Sequence, residues 1–303
     1  RIFRRTSRSY KYTAREDSLM SEWLIETLHP ELGQQIRIDR ILHKQKTHAQ
    51  ELLIFENDLL GRVLALDGIV QTTEADEFIY HEMITHVPIL AHGVAQDVLV
   101  LGGGDGGVIE ELFKYPTVTK VVMVEIDPCV VELCRKYLPN LSRGAFDDPR
   151  LDLVIADGSE YVISSTDHFD VIIVDSPDPI GPGEKLFSKT FYSGCHRRLK
   201  PGGILVTQSG VPFVQGSELR NSARNLSAHF HDVTFYRASI PTYYGGDMAF
   251  GWASDTASLR TISLDQIRER FSSTRLETRY YSPEIHLSAF AKPPWITALL
   301  NDR

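Results

Sequence analysis

The chain has only three cysteines, Cys129, Cys134 and Cys195, among its 303 residues. They are too few for a disulfide framework and their spacing fits no common zinc-binding pattern, so we interpret them as free thiols. No apolar stretch approaches the roughly 20 residues that a membrane-spanning helix needs, and no apolar signal-peptide core follows the first residues. Internal repeats and low-complexity tracts are also missing. These absences favour an ordinary globular protein, for which we expect a cytoplasmic location.

Positive charge is scarce as well, because 32 Lys and Arg residues face 40 Asp and Glu residues, a net charge of −8. Such a balance argues against nucleic-acid binding and favours cationic small molecules as partners. The first 19 residues carry a net charge of +4, which leaves −12 for the remainder. We interpret residues 1–19 as an upstream or added extension, with an organelle transit segment as the alternative.

The pattern of apolar residues divides the remaining chain into two parts. Short β-like runs separated by turn residues over 36–72 predict a small antiparallel sheet, and a helix is predicted over 74–87. Beyond that helix, apolar strands alternate with helical segments, which indicates a doubly wound, Rossmann-like α/β fold. We therefore expect an N-terminal β-sheet domain over 20–83 and an α/β catalytic domain over 84–303. The predicted strands of the second domain are "DVLVL", "VVMVE", "LDLVI", "FDVIIVD", "GGILVTQ", "DVTFYRASI" and "MAFGWAS".

A glycine-rich loop, "LGGGDGG" at 101–107, follows the first of these strands. Gly102, Gly104 and Gly107 satisfy G-x-G-x-x-G, which predicts a nucleotide site. The loop alone fits a nicotinamide dinucleotide and an S-adenosyl compound equally. Asp105 decides between them, because its carboxylate would repel a pyrophosphate and attract a sulfonium or ammonium. A cationic adenosine ligand is therefore the better prediction.

Carboxylates follow four successive strands, at the sheet edge where open α/β sheets bind their ligands. Asp105 follows the first strand, Glu125 ends the second, Asp157 follows the third and Asp175 ends the fourth. Glu125 is placed to accept hydrogen bonds from both hydroxyls of a ribose. Asp157 could accept from an adenine amino group, with Gly158 allowing the backbone to approach the ring, although an Asp-Gly pair is also a common turn.

The loop "VDSPDPIGPGEKLF" at 174–187 holds three acids and no base between Asp175 and Glu184, which favours a polycationic ligand. An aliphatic amine has a pKa of about 10.4 and is protonated at neutral pH, so it needs a base before it can attack carbon. Asp175, fixed at a strand end, is the better base. Asp178, further along the loop, is better suited to anchor an ammonium.

The stretch "EFIYHEMITH" at 77–86 is not a metalloprotease motif, because H-E-x-x-H would need histidine at the position of Thr85. We interpret Tyr80 and His81 instead as polar lining between the β domain and the nucleotide half. Tyr243, in "IPTYYGGDM", has the same character. Core packing is the alternative for both tyrosines.

Several long stretches in one order resemble the spermidine synthase family of aminopropyltransferases, its bacterial putrescine aminopropyltransferases most of all. The resemblance extends over most of residues 22–260. It is carried by "LDGIVQTTEADEFIYHEM", "VLGGGDGG", "VVMVEIDPCVVELCRKYLP", "ADGSEY", "VDSPDPIGPGEKLF", "LKPGGILVTQSG" and "IPTYYGGDMAF".

The resemblance implies a fold of the S-adenosylmethionine-dependent methyltransferase type. It also implies transfer of the aminopropyl group of decarboxylated S-adenosylmethionine to putrescine, which gives spermidine and 5′-methylthioadenosine without a metal or a permanently bound cofactor. A homodimer or homotetramer is expected. A diamine N-methyltransferase and a non-catalytic polyamine-binding protein are the alternatives.

The resemblance assigns roles to individual residues. Asp175 would be the proton acceptor. The adenosine site would comprise Gln50, Asp105, Glu125, Asp157, Gly158 and Pro182. The amine site would comprise Trp23, Tyr80, His81, Asp105, Asp175, Asp178, Gln208 and Tyr243, with Trp23 closing the pocket.

Overall fold

The computed structural model describes residues 22–47, 49–178 and 181–301, with the backbone alone at 181 and 182. The predicted extension over 1–19 lies outside these residues. Among the helices described, none has the length and apolar character that a membrane crossing requires.

The N-terminal part forms two antiparallel sheets rather than the single sheet that the sequence predicts over 36–72. The first is a hairpin of β1 (Glu22–His29) and β2 (Leu32–Ile38). The second has four strands: β3 (Arg40–Lys46), β4 (Glu51–Asn57), β5 (Gly61–Leu66) and β6 (Ile69–Thr73). Strand β1 was not predicted, because its inward face carries a carboxylate, Glu26, which interrupts the apolar alternation expected of a half-buried strand.

Helix α1 (Glu77–His92) starts three residues later and ends five residues later than the predicted helix over 74–87. It continues through Pro88 and stops at Gly93, which adopts the left-handed conformation with φ of 82°. Proline removes one helical N–H, but residues 79–91 are all buried and this packing maintains the helix. The predicted domain boundary at residue 83 falls inside α1, so we propose residues 74–76 as the boundary.

A seven-stranded sheet organises the rest of the described chain, in the order β12-β13-β11-β10-β7-β8-β9. Strands β7 to β11 are parallel, whereas β13 is antiparallel to β11 and β12 to β13. This confirms the predicted Rossmann-like fold. The strands are β7 (Asp97–Gly102), β8 (Lys120–Glu125), β9 (Leu151–Ile155), β10 (Phe169–Asp175), β11 (Leu199–Gln208), β12 (Asp232–Ser239) and β13 (Asp247–Ser254). The helices after α1 are α2 (Gly107–Phe113), α3 (Pro128–Tyr137), α4 (Pro139–Ser142), α5 (Gly158–Ser164), α6 (Lys189–Arg198), α7 (Gly216–Ser227), α8 (Leu264–Thr274), α9 (Pro283–Ala289) and α10 (Pro294–Asn301).

Side chains of the central strands point alternately into two apolar cores, one on each face of the sheet. In β7, Val98 and Val100 join the core that contains α1 and α2, whereas Leu99 and Leu101 join the core that contains α6 and α7. Parallel strands covered on both faces are continuously apolar, which is why the sequence predicts them well. The four-stranded sheet packs on α3 through a smaller cluster.

Glu82 ties α1 to the C-terminal part of the chain. Its buried carboxylate accepts three backbone N–H groups, from Arg279 (2.7 Å), Tyr280 (2.8 Å) and Tyr281 (2.7 Å). A carboxylate buried to 2% exposure is stable only when such donors surround it. The segment that precedes α9 is thereby fixed to the helix that carries Tyr80 and His81.

Candidate active site

A cavity of about 260 Å³ lies between the N-terminal sheets and the carboxyl ends of the central strands. Most of the residues predicted for the site line it, although they come from distant parts of the sequence. They are Gln50, Tyr80, His81, Asp105, Glu125, Asp157, Gly158, Asp175, Asp178, Gln208 and Tyr243.

The glycine loop turns tightly against the end of β10. Gly102 and Gly103 have φ angles of 85° and 75°, and the Gly103 N–H donates to the Asp175 carbonyl at 3.0 Å. A Cβ atom on Gly102 would lie 2.0 Å from that carbonyl oxygen, so only glycine allows the approach. At Gly107 a Cβ atom would collide with the His81 ring. The loop therefore fixes both Asp175 and His81.

Asp175 lies at the floor of the cavity, where the Tyr80 hydroxyl donates to its Oδ1 at 2.7 Å. Burial, helped by the negative charge of Asp105, raises the pKa of Asp175 to about 6, against the opposing effects of His81 and Tyr80. At neutral pH the group is therefore ionised, yet it is a stronger base than an ordinary aspartate. This combination suits a general base.

His81 lies between two carboxylates. Its Nδ1 is 2.7 Å from Glu77 Oε2, and its Nε2 is 3.4 Å from Asp105 Oδ2. Burial alone would lower the pKa of His81, but the charges and hydrogen bonds of Asp105 and Glu77 raise it well above its usual value. The ring is thus an imidazolium, and the three groups together carry one net negative charge.

The same arrangement favours the ionised form of Asp105. Burial alone would raise its pKa, but the positive charge of His81 and the Gly107 N–H, which donates to Oδ1 at 2.9 Å, lower it. The carboxylate therefore stays ionised inside the cavity.

The same residues are close enough to share a metal ion, since ligand atoms of His81, Asp105 and Asp175 lie within 4.8 Å of one another. An imidazolium has no lone pair to offer a metal. In its protonated form the His81 ring instead pairs with Glu77 and Asp105.

Glu125 ends β8 at the cavity wall and accepts the Asp127 N–H at 2.9 Å. Burial raises the pKa of Glu125 to about 7. The Gln50 amide donates to Asp127 Oδ2 at 3.2 Å, and the same oxygen accepts the Thr47 hydroxyl at 2.9 Å. Asp127 thereby holds the side chain of Gln50 at the cavity wall.

Asp157 has partners of its own at the start of α5. Its Oδ1 accepts the Ser159 N–H at 2.8 Å as the helix N-cap, and its Oδ2 lies 3.2 Å from Lys185 Nζ. The Asp-Gly pair thus serves as a turn and cap, while Asp157 and Gly158 still line the cavity.

At the opposite end, two glutamines hold Asp178. The amides of Gln215 (2.6 Å) and Gln208 (3.4 Å) both donate to its Oδ1. The Tyr243 hydroxyl donates to the Gln71 carbonyl, which fixes the ring beside the cavity. Neutral donors position the Asp178 carboxylate without cancelling its charge.

Trp23 does not belong to this set. It lies on the outward face of β1, is 48% exposed and does not line the cavity, whereas Glu26 of the same strand does. Strand alternation points Leu24 and Glu26 inward instead, and the role of Trp23 in closing the pocket stays a prediction. Pro182 lies in a short 3₁₀ helix (Gly181–Phe187), and its side chain is outside the described residues.

Sequence reasoning missed three positioning residues. Glu77 was detectable, because it lies one helical turn before His81, a spacing at which charged side chains pair. Asp127 precedes Pro128 and is recognisable as a helix N-cap, but its contact with Gln50 is not visible in the sequence. Gln215 carries no sequence signal at all.

Comparison with known protein families identifies two matching domains in the chain. Residues 77–263 match the spermine/spermidine synthase domain, and residues 22–74 match the spermidine synthase tetramerisation domain. The chain belongs to the spermidine synthase family. It is thus a transferase that moves aminopropyl groups.

Relatives in this family are similar over nearly their whole length. The polyamine aminopropyltransferase of Pseudomonas syringae pv. tomato is 55% identical over 276 residues, covering 91% of this chain and 96% of that protein. Polyamine aminopropyltransferase 1 of Pseudomonas aeruginosa is 55% identical over 271 residues, covering 89% and 95%.

Solved structures of spermidine synthases have the same fold. A spermidine synthase in complex with the transition-state analogue AdoDATO has a TM-score of 0.88 and 36% identity, covering 95% of this chain and 99% of that one. The Thermotoga maritima spermidine synthase has a TM-score of 0.85 and 35% identity, covering 95% and 98%.

The pairing of Glu77 with His81 predicts a measurable shift in this spermidine synthase family member. Glu77→Gln removes one of the two carboxylates that stabilise the imidazolium, so the pKa of His81 should fall by roughly one unit or more. Nitrogen-15 NMR of labelled histidine measures this change.

Glu74→Gln is the matched control, because Glu74 contacts Arg62 and Asn140 and does not line the cavity. An unchanged His81 titration in Glu77→Gln would contradict the assignment.

Proposed function

We propose that this protein transfers the aminopropyl group of decarboxylated S-adenosylmethionine to putrescine, giving spermidine and 5′-methylthioadenosine. The observation that carries the proposal is the position of Asp175, a half-buried carboxylate between a nucleoside-type loop and a second group of acids. The names of the relatives support it, as does the analogue AdoDATO bound to the related spermidine synthase.

The reaction is a direct displacement. The amine nitrogen of putrescine attacks the aminopropyl carbon bonded to the sulfonium, so a C–N bond forms, the C–S bond breaks and its electron pair stays on sulfur. The proton lost from nitrogen passes to Asp175. A closed cavity lowers the pKa of the amine and raises that of the carboxyl group, which brings the two values together and makes the transfer easier. Positioning supplies most of the remaining acceleration, because the sulfonium is already a good leaving group.

We assign the nucleoside to the end of the cavity with Gln50, Glu125, Asp157 and Gly158, and to Pro182 on the loop after β10. The sulfonium lies next to Asp105 in this assignment. The amine takes the other end, with Asp178 on its far ammonium. The amine end is lined by Tyr80, His81, Asp178, Gln208 and Tyr243.

We further propose that copies of the chain assemble through the N-terminal sheets. The match of residues 22–74 to a tetramerisation domain supports this, as do the exposed apolar side chains of Trp23, Ile25, Leu32 and Ile41. A homodimer and a homotetramer both satisfy these observations. The cytoplasmic location stays a prediction.

Product analysis tests the proposed function. The purified protein is incubated with putrescine and either decarboxylated or ordinary S-adenosylmethionine, and the products are identified by mass spectrometry. Spermidine and 5′-methylthioadenosine from the decarboxylated compound are the expected result. A methylated diamine from ordinary S-adenosylmethionine would favour an N-methyltransferase, and binding without any product would favour a polyamine-binding protein.

Asp175→Asn should lower kcat by about two orders of magnitude or more, because the variant keeps the shape of the site but has no base. Binding of 5′-methylthioadenosine, measured by calorimetry, should change little, since Asp175 acts at the amine. Turnover close to that of the wild type would remove Asp175 from the role of base.

Asp105→Ala should reduce the preference for decarboxylated over ordinary S-adenosylmethionine. The Asp105 carboxylate attracts the ammonium of the decarboxylated compound and repels the α-carboxylate of the ordinary one. Competition between the two compounds for the same enzyme gives the ratio directly. An unaltered ratio would mean that discrimination lies elsewhere.

A further inference from the structure

Helix α1 carries a second buried histidine, which has no part in the reaction as proposed. His86 is fully buried, and its Nε2 lies 3.1 Å from Oε2 of Glu111 in α2. On the other side of the ring, the Tyr115 hydroxyl shares a hydrogen bond with Nδ1 at 2.9 Å. Groups from α2 and from the residues after it therefore hold this ring on both sides, and neither His86 nor Glu111 lines the cavity.

Glu111 is a buried carboxylate that depends on His86. Its side chain is 6% exposed, and besides His86 its Oε2 contacts Lys114 Nζ at 2.6 Å. Burial alone would raise the pKa of Glu111, but the contacts and charges of His86 and Lys114 lower it to about 2. Removing one partner from an ionised group in such surroundings leaves a charge that is poorly compensated. The contact between α1 and α2 at this point is therefore costly to break.

The same two helices meet again inside the cavity. Gly107 is the first residue of α2, and a Cβ atom there would lie 2.2 Å from Cε1 of the His81 ring. The Gly107 N–H donates to Asp105 Oδ1 at 2.9 Å, and Asp105 Oδ2 lies 3.4 Å from His81 Nε2. The start of α2 thus supplies the backbone on which the His81 ring packs, and the residue just before it supplies the carboxylate that pairs with this ring.

These contacts connect α1 and α2 at both ends. Because α2 has only seven residues, Glu111 lies about one helical turn from Gly107, and a movement of one moves the other. At 3.4 Å, the contact of Asp105 with His81 is already longer than an ordinary hydrogen bond. A shift of α2 along α1 would lengthen this contact further and weaken it. Helix α1 cannot follow such a shift freely, because it is fixed to residues 279–281.

We propose that Glu111 and His86 are a positioning pair for the active site. The pair sets how closely Asp105 approaches His81, and thereby how strongly the cavity prefers decarboxylated over ordinary S-adenosylmethionine. The effect on this preference rests on the proposed function, whereas the effect on the contact between Asp105 and His81 does not.

Nitrogen-15 NMR of the full chain with labelled histidine tests the positioning. Glu111→Gln keeps the size of the side chain but removes its charge, so α2 is held less firmly against α1. As Asp105 withdraws, the pKa of His81 should fall by about half a unit or more. Glu111→Asp, which keeps the charge, should restore part of the wild-type value.

Glu110→Gln is the matched control. Glu110 is the neighbouring carboxylate on Lys114, at 2.9 Å, and its other ion pair is with Arg143 rather than with a histidine. This variant removes the same charge from the same turn of α2, so a direct effect of charge on His81 would appear in both variants. We expect the His81 titration of Glu110→Gln to match that of the wild type.

Competition between decarboxylated and ordinary S-adenosylmethionine tests the consequence for the cofactor. Glu111→Gln should reduce the preference for the decarboxylated compound by about threefold or more, although the side chain touches neither compound. Glu110→Gln should leave the preference unchanged. A residue that only stabilises the fold would lower the melting temperature without changing this ratio.

Three results would contradict the proposal. An unchanged His81 titration in Glu111→Gln would mean that Glu111 only stabilises the fold. An equal shift in Glu110→Gln would mean that charge and not position is responsible. A shifted titration with an unaltered preference would separate the contact from the choice of cofactor. Should Glu111→Gln not fold, Tyr115→Phe replaces it under the same criteria, because it removes only the hydroxyl on the other side of the His86 ring.

The proposed function is tested separately, because the His81 titration needs no turnover. If the wild-type protein makes no spermidine from putrescine, that function fails, while the NMR comparison between Glu111→Gln and Glu110→Gln stays valid.

Discussion

An imidazolium held between two carboxylates sets the charge of the whole cavity. Several acids line one cavity, among them Glu77, Asp105 and Asp175, and each additional negative charge makes ionisation of the next more costly. The positive charge of His81 relieves this repulsion. Asp105 stays ionised, and Asp175 keeps a pKa of about 6 rather than a higher value. Binding of cations and acceptance of a proton are possible in one cavity because of this balance.

The role of the glycine loop at 101–107 follows from its contacts with neighbouring side chains and backbone. G-x-G-x-x-G is usually associated with phosphates, but here each glycine makes room for a particular neighbour. Gly102 approaches the Asp175 carbonyl, Gly104 approaches the Glu125 carboxylate, and Gly107 lies against the His81 ring. The loop therefore contacts both Glu125 and Asp175, and with them the two ends of the cavity to which we assign the nucleoside and the amine. A carboxylate at its centre, Asp105, adapts the same backbone to a cation.

Much of the fold and of the site follows from local sequence patterns. The central strands were predictable because strands buried on both faces are continuously apolar, and the acids were predictable because they follow those strands. Strand β1 was not, since Glu26 turns inward where an apolar residue is expected. Contacts between distant residues, such as Gln215 with Asp178, leave no trace in a single sequence. The outward position of Trp23 could not be predicted either, because a family resemblance does not specify which face of a strand a side chain occupies.

The three N–H groups on Glu82 have a consequence for how the protein loses activity. If the segment at 279–281 detaches, it leaves a bare carboxylate inside α1, immediately next to Tyr80 and His81. A charge cannot stay in that apolar core unsolvated, so water must enter or the helix must open. Detachment of residues 279–281 and opening of α1 are thus one cooperative event. The position of Tyr80 and His81 therefore depends on a segment almost 200 residues away in the sequence.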